Sequence, residues 1–186
     1  MNGLLFIRHA ETDMAGTFCG HSNPPINASG RQQIQTLMNA LSGEEINCIF
    51  TSDLERATST AGALADAFGV SCITKPNLRE IYFGNWEGLT WQQIQDENEV
   101  YACRWSEAYP NLSAPGGESF ADFETRVIAE VTEIFNRRDL RQAAIVTHGG
   151  VMRVVLQTMC GVADNQAWEF TKHYCSYFKY PREGTR

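Results

Sequence analysis

Three short apolar runs punctuate the chain, at residues 4–7 (Leu4, Leu5, Phe6, Ile7), 48–51 and 143–147. Each is followed by polar or glycine-containing residues and then by a helical pattern. Runs of this length predict buried strands, and their alternation with helices predicts an α/β layer fold. Ile34, Leu37, Met38 and Leu41 recur at three- and four-residue spacing, which marks the buried face of a helix, with Ser29 and Gln32 as a capping box at its start. Ala57, Ala61, Leu64, Ala65 and Phe68 describe a second such face, closed by Gly69. Further helices are predicted from about 120 to 135 and from just after Gly149-Gly150 to near Gly161, and residues 175–180 read as a final strand. Between Gly88 and Gly117 the pattern changes. Trp91, Tyr101, Trp105 and Tyr109 are spread through polar sequence ending in Pro115-Gly116-Gly117, which predicts an insertion over one face of the core.

A chain of 186 residues with 43% hydrophobic content is long enough for a substantial core, and without repeats or charged linkers it is expected to form a single domain over 1–186. It lacks a basic, cleavable apolar leader, and no apolar segment approaches the roughly 18 residues of a spanning helix, so a soluble cytoplasmic protein without a membrane partner is expected. A formal charge of −7 argues against nonspecific nucleic-acid binding but leaves room for one small anion pocket built from local arginines. Cys19, Cys48, Cys72, Cys103, Cys160 and Cys175 are scattered with no CxxC pair, so neither a zinc site nor a disulfide framework is indicated. Reduced and mostly buried thiols are expected. Monomer and homodimer both remain open.

In layered α/β sheets ligands gather outside the carboxyl ends of the strands, so the residues just after each apolar run can converge. After the first run stand Arg8 and His9; after the second, Thr51, Ser52 and Arg56; after the third, His148 with Gly149-Gly150. Arg offers a rigid fork of donors and a neutral His offers a nucleophilic nitrogen, a combination suited to a phosphoryl group. Taken singly, each has a plainer reading: Arg56 as a solvent-facing helix residue, His148 as a satisfied core histidine, Glu80 as an exposed partner of Arg79. Their joint placement at strand ends favours a site.

Four segments carry a family resemblance: Arg8-His9-Ala10-Glu11-Thr12, Thr51-Ser52-Asp53-Leu54-Glu55-Arg56-Ala57, Leu78-Arg79-Glu80-Ile81-Tyr82-Phe83-Gly84 and Thr147-His148-Gly149-Gly150. In this order they resemble the histidine phosphatase superfamily, in its phosphoglycerate mutase-like branch. The resemblance implies a three-layer α/β/α sandwich and a catalytic phosphohistidine at His9. Phe83-Gly84-Asn85-Trp86-Glu87, Asn98-Glu99-Val100-Tyr101, Gly117-Glu118 and Gly20-His21 are similar to alpha-ribazole phosphatases of cobalamin nucleotide-loop assembly. The implied catalytic set is His9, Glu80, Arg8, Arg56 and His148. A small phosphorylated substrate is expected to meet Arg8, Thr12, His21, Arg56, His148, Gly149, Phe83 and Trp86.

Two departures from the family pattern stand out. The glycine that usually follows the catalytic His is Ala10, and the phosphate-contacting Asn is replaced by Ala15. Loss of one charge-assisted contact weakens phosphate stabilisation by about 1.5–3 kcal/mol unless Thr12 or a backbone amide replaces it. Asn23 and Asn27 stand where the family has an acidic residue and a Thr, and read as caps of the loop. In the expected chemistry His9 attacks phosphorus while a backbone carbonyl fixes its tautomer. Arg8, Arg56 and His148 hold the phosphoryl oxygens, and Glu80 protonates the leaving alkoxide. This scheme needs no metal and no cofactor. Trp86, Trp91, Tyr101, Trp105 and Tyr109 are either the core of the insertion or a stacking surface for a flat ring. Glu118 and Ser119 read first as a helix cap.

Overall fold

The computed structural model describes residues 3–181. Its sheet has five strands, β1 (Gly3–Arg8), β2 (Cys48–Thr51), β3 (Ser71–Thr74), β4 (Gln142–Thr147) and β5 (Tyr177–Pro181), in the order β3-β2-β4-β1-β5. The first four run parallel, and β5 adds to β1 in the opposite direction. Six α-helices connect and cover them: α1 (Ala28–Ala40), α2 (Glu55–Phe68), α3 (Trp91–Ala108), α4 (Phe120–Phe135), α5 (Gly149–Val154) and α6 (Asp164–Thr171). A π-helical turn, Val155–Met159, prolongs α5.

The sheet is buried on both faces, which explains why β1, β2 and β4 read as continuous apolar runs. Leu5, Ile7, Ile49, Ala144 and Val146 point to one side, where they meet Leu37 and Leu41 at the α1 end and Ala57, Ala61 and Leu64 of α2. Leu4, Phe6, Phe50, Ala143 and Ile145 point to the other, against Phe123, Val127, Val131 and Ile134 of α4 and the start of α5. The architecture is therefore the three-layer α/β/α sandwich. Phe18, Trp86, Trp91, Tyr101, Trp105 and Ile94 form a third cluster around α3, so the insertion has a core of its own.

Strand register sets up the chemistry. Arg8 on β1 pairs with Thr147 on the neighbouring β4, so the next residues, His9 and His148, leave the sheet side by side. Thr51 of β2 pairs with Val146, which brings the chain leading into α2 and Arg56 to the same edge.

Several expectations need correction. Helix α1 begins at Ala28 with Asn27 as its N-cap, whose side chain accepts from Gly30 N at 2.8 Å; Ser29 and Gln32 already lie inside the first turn. The reason is local: Asn27 Nδ2 also donates to Glu11 at 3.1 Å, which fixes the chain direction one residue before Ala28. Strand β3 carries the polar, exposed sequence of a sheet edge and has no apolar run to announce it. Strand β5 starts at Tyr177, because Cys175 adopts a left-handed conformation with φ 55° that breaks an extended strand. The thiols are not mostly buried: Cys48 is buried, but Cys72, Cys103 and Cys160 are exposed, on the edge strand and outer helical surfaces. Among the described residues no helix is long and apolar enough to cross a membrane.

Candidate active site

His9 sits at the base of a cavity of about 780 Å³. Its Nδ1 lies 2.7 Å from the carbonyl oxygen of Ala10, and since a carbonyl only accepts, Nδ1 carries the proton. Nε2 then carries the ring's lone pair, which accepts from Arg56 Nε at 3.2 Å. The tautomer is thus fixed from both ends. Ala10 N donates to Thr60 Oγ1 at 3.0 Å, which anchors the peptide that does the fixing. Burial, reinforced by the charges of Arg56 and Arg8, holds the His9 pKa well below the ordinary imidazole value, so the ring is neutral at neutral pH.

Arg8 is gripped from the far end of the chain. Its Nη1 donates to the carbonyls of Thr171 at 3.0 Å and Lys172 at 2.6 Å, and its guanidinium lies 4.2 Å from the Tyr174 ring centroid. Arg8 N donates to Ser176 O at 2.9 Å, so residues 171–176 cradle the Arg8-His9 dipeptide. Arg8 Nε is buried and finds no partner in the protein, and the same is true of both ring nitrogens of His148. His148 is fully buried with its ring centroid 5.0 Å from that of His9. Burial, then the neighbouring charges of Arg56 and Arg8, keeps its pKa well below normal as well. Buried polar atoms ordinarily find hydrogen bonds. A cation edge and a neutral imidazole left unsatisfied beside a nucleophilic nitrogen match the donors a phosphoryl group requires.

Arg56 reaches the same corner from the first turn of α2. It is 0% exposed, and besides its bond to His9 it donates from Nη1 to Ser22 O at 2.6 Å and from Nη2 to Cys19 O at 3.2 Å and Gly20 O at 2.7 Å. Four of its five N–H groups are thereby engaged, so in this conformation Arg56 orients His9 and clamps the 19–22 loop. The amides of that loop go elsewhere. Glu87 accepts from Gly20 N, His21 N, Ser22 N, Ser22 Oγ and Phe83 N, at 2.6–3.2 Å. Burial works to raise the Glu87 pKa, but the bonds from Ser22, Phe83 and His21 outweigh it and hold the carboxyl below its usual range. A methyl group built on Gly20 would collide with Ile81 O and Glu87 Oε1, so only glycine lets the loop approach.

Glu80 lines the cavity, with Oε2 accepting from Gly150 N and Oε1 from Ile81 N, both at 2.9 Å. It is not the partner of Arg79, which forks onto Asp53 at 2.6 and 2.5 Å. Arg126 holds the backbone beneath it, donating to the carbonyls of Asn77, Arg79 and Glu80, each at 2.9 Å, and to both oxygens of Glu118. Glu118 is therefore an ion-pair residue, while Ser119 is the cap, accepting from Asp122 N.

Of the other candidates, Thr12, Phe83 and Gly149 line the cavity together with Ala15. Thr51 and Ser52 are buried in local hydrogen bonds at the start of α2. His21 turns away: its Nε2 lies 3.1 Å from Glu80 O and its ring lies against Tyr82. Trp86, 5% exposed, stands inside the aromatic cluster outside the cavity wall. The sequence reading missed Glu87, Arg126 and Tyr174. Glu87 and Arg126 act on backbone atoms, which leave no signal in residue type, and Tyr174 lies far from the motif it covers. Among the described residues no group of three His, Cys, Asp or Glu is placed to hold a metal ion.

The chain is 27% identical over 169 residues to the adenosylcobalamin/alpha-ribazole phosphatase of Escherichia coli, covering 90% of this chain and 83% of the relative. It is 28% identical over 176 residues to phosphoserine phosphatase 1 of Hydrogenobacter thermophilus, covering 94% and 83% of the two chains. The crystal structure of the alpha-ribazole phosphatase from Shigella flexneri superposes with a TM-score of 0.84 at 26% identity, over 94% of this chain and 87% of that one. A profile described as the histidine phosphatase superfamily (branch 1) matches residues 4–186. Since that match spans β1 through β5 and takes in every strand end at which the buried His, Arg and Glu side chains meet, the chain belongs to branch 1 of the histidine phosphatase superfamily and is a histidine-type phosphatase.

Proposed function

We propose that the chain hydrolyses phosphomonoesters through a phosphohistidine on His9, with alpha-ribazole 5'-phosphate as its substrate. The observation that carries the chemistry is the fixed His9 tautomer beside unpartnered buried donors on Arg8 and His148. His9 Nε2 forms a bond to phosphorus as the ester P–O bond breaks. Glu80 gives its proton to the departing alkoxide. Water then attacks the phosphohistidine, the P–N bond breaks, and Glu80 takes the proton back before phosphate leaves. Arg8 and His148 donate to the phosphoryl oxygens, and Arg56 Nε, which must leave the Nε2 lone pair for that attack, turns its donor to the phosphoryl group.

The substrate is supported by the likeness to the alpha-ribazole phosphatases of Escherichia coli and Shigella flexneri and by a cavity with aromatic walls, including Phe18, Phe83 and Trp105. Phosphate release across alpha-ribazole 5'-phosphate, phosphoserine and 3-phosphoglycerate tests it. A preference of about a hundredfold in kcat/KM, roughly 2.7 kcal/mol of transition-state discrimination, is expected for the first. A flat profile refutes the substrate. Rapid quench with labelled phosphomonoester tests the covalent step: label on the wild type and none on His9→Ala is expected, and turnover without label refutes the intermediate.

A further inference from the structure

The cavity wall holds ten aromatic side chains, and nine of them touch another aromatic or imidazole ring. Phe18, Phe83, Trp91 and Trp105 pack on one another, two pairs edge to face, one stacked and one tilted, with centroids 5.0–6.2 Å apart. Tyr109 contacts Trp105 and Phe120. The residues that sequence reasoning offered as a stacking surface are thus largely consumed in the core of the insertion. Trp168 on α6 is the exception among the described residues. It lines the cavity, is 51% exposed, and makes no contact with another aromatic ring.

What Trp168 does meet is a cation. The Arg153 guanidinium lies 4.7 Å from its ring centroid. Arg153 also lines the cavity, and its guanidinium has neither a hydrogen bond nor an ion pair among the described residues. The nearby carboxylates are engaged otherwise: Asp164 accepts from Gln157 at 2.6 Å, Glu118 is forked by Arg126, and Glu80 receives two amides. An indole held by a guanidinium, with much of its surface open in a substrate cavity, is oriented for a second flat partner. Its position is also tied to the phosphate site. Lys172 N donates to Trp168 O at 2.9 Å, and the carbonyls of Thr171 and Lys172 grip Arg8.

We infer that Trp168, steadied by Arg153, is the platform on which the leaving alcohol of the substrate stacks a flat aromatic ring, and that this pair sets specificity for ring-bearing phosphomonoesters. The inference rests on the phosphomonoesterase reading but not on alpha-ribazole in particular.

The test compares alpha-ribazole 5'-phosphate and AMP with ribose 5-phosphate, which presents a primary 5'-alkoxide leaving group without a base. Base stacking is worth enough that Trp168→Ala should lower kcat/KM about tenfold or more for the two base-bearing substrates, and less than about twofold for ribose 5-phosphate. Trp168→Phe should keep most of the preference, and Arg153→Met should lose part of it. Equal losses on all three substrates in a folded variant, or no loss on any, would overturn the platform. So would a wild type that gains nothing from either base over ribose 5-phosphate. A wild type that ignores alpha-ribazole phosphate yet loses its AMP preference in Trp168→Ala supports the platform and refutes the substrate named above.

Discussion

His9 and His148 are buried and neutral, which makes the protein's stability depend on pH in a calculable way. An unfolded imidazole takes up a proton near about pH 6.5, whereas burial and the adjoining arginines hold both of these rings neutral well below that value. As pH falls through this window the unfolded chain binds protons that the folded chain refuses, so unfolding becomes easier. For one such histidine, going from about pH 7.5 to about pH 5.5 removes about 1.4 kcal/mol, and for two it removes about 2.7 kcal/mol. The depressed carboxylates Asp53 and Glu87 have the opposite arrangement. They contribute stability above the ordinary carboxylate range and lose it only on further acidification, outside this window. His21 is shifted down too, by burial and then by Arg79 and Arg126, so it adds to the effect. The assay is urea unfolding in phosphate-free buffer at the two pH values. The wild type should lose about 2.7 kcal/mol or somewhat more, and His148→Gln about 1.4 kcal/mol less than that, whatever its absolute stability. Equal stability at both pH values, or an undiminished slope in His148→Gln, would refute the buried neutral pair.

Three further outcomes follow from individual contacts. Glu87→Gln keeps the shape but loses the charge behind five hydrogen bonds; allowing for non-additivity, a loss of about 3 kcal/mol and a Tm lower by roughly 6–12 °C are expected in a thermal melt. Gly150→Ala places a methyl group against Glu80 Oε1 and should cut kcat about tenfold or more while leaving the melt within a few degrees, as steady-state phosphate release would show. Asn27→Ala removes the cap of α1 and should cost about 1 kcal/mol in urea unfolding with kcat unchanged.

What the sequence reveals and what it hides divides along the range of the interactions. The central strands and the helices α2 and α4 are legible because burial imposes a period on residues close together in the chain. Arg8, His9 and His148 are legible because the ends of parallel strands converge wherever the strands are adjacent. Strand β3 fails the same test, since an exposed edge imposes no apolar run. Helix α3 carries a readable signal that the aromatic residues obscured: Thr90 and Gln93 form a capping box at its start. The engagement of Arg56 with the 19–22 loop, the gathering of that loop's amides on Glu87 and the covering of Arg8 by Tyr174 join segments 34 to 166 positions apart. They depend on backbone groups and ring faces that any sequence offers everywhere.

The cradle around Arg8-His9 has a consequence for the order in which the molecule is made. Strand β1 is synthesised first, yet its sheet partners are β4 and β5, and its arginine is held by carbonyls at positions 171 and 172. A ribosome adds roughly 5–20 residues per second, so the nucleophile's strand waits many seconds without a neighbour. Throughout that interval the Arg8 guanidinium lacks its grip, and His9 has no His148 beside it. Contacts this distant in sequence also close slowly after release. The phosphate-binding corner therefore cannot be completed before residues 171–176 have emerged, and a nascent chain stays inert toward phosphomonoesters until then.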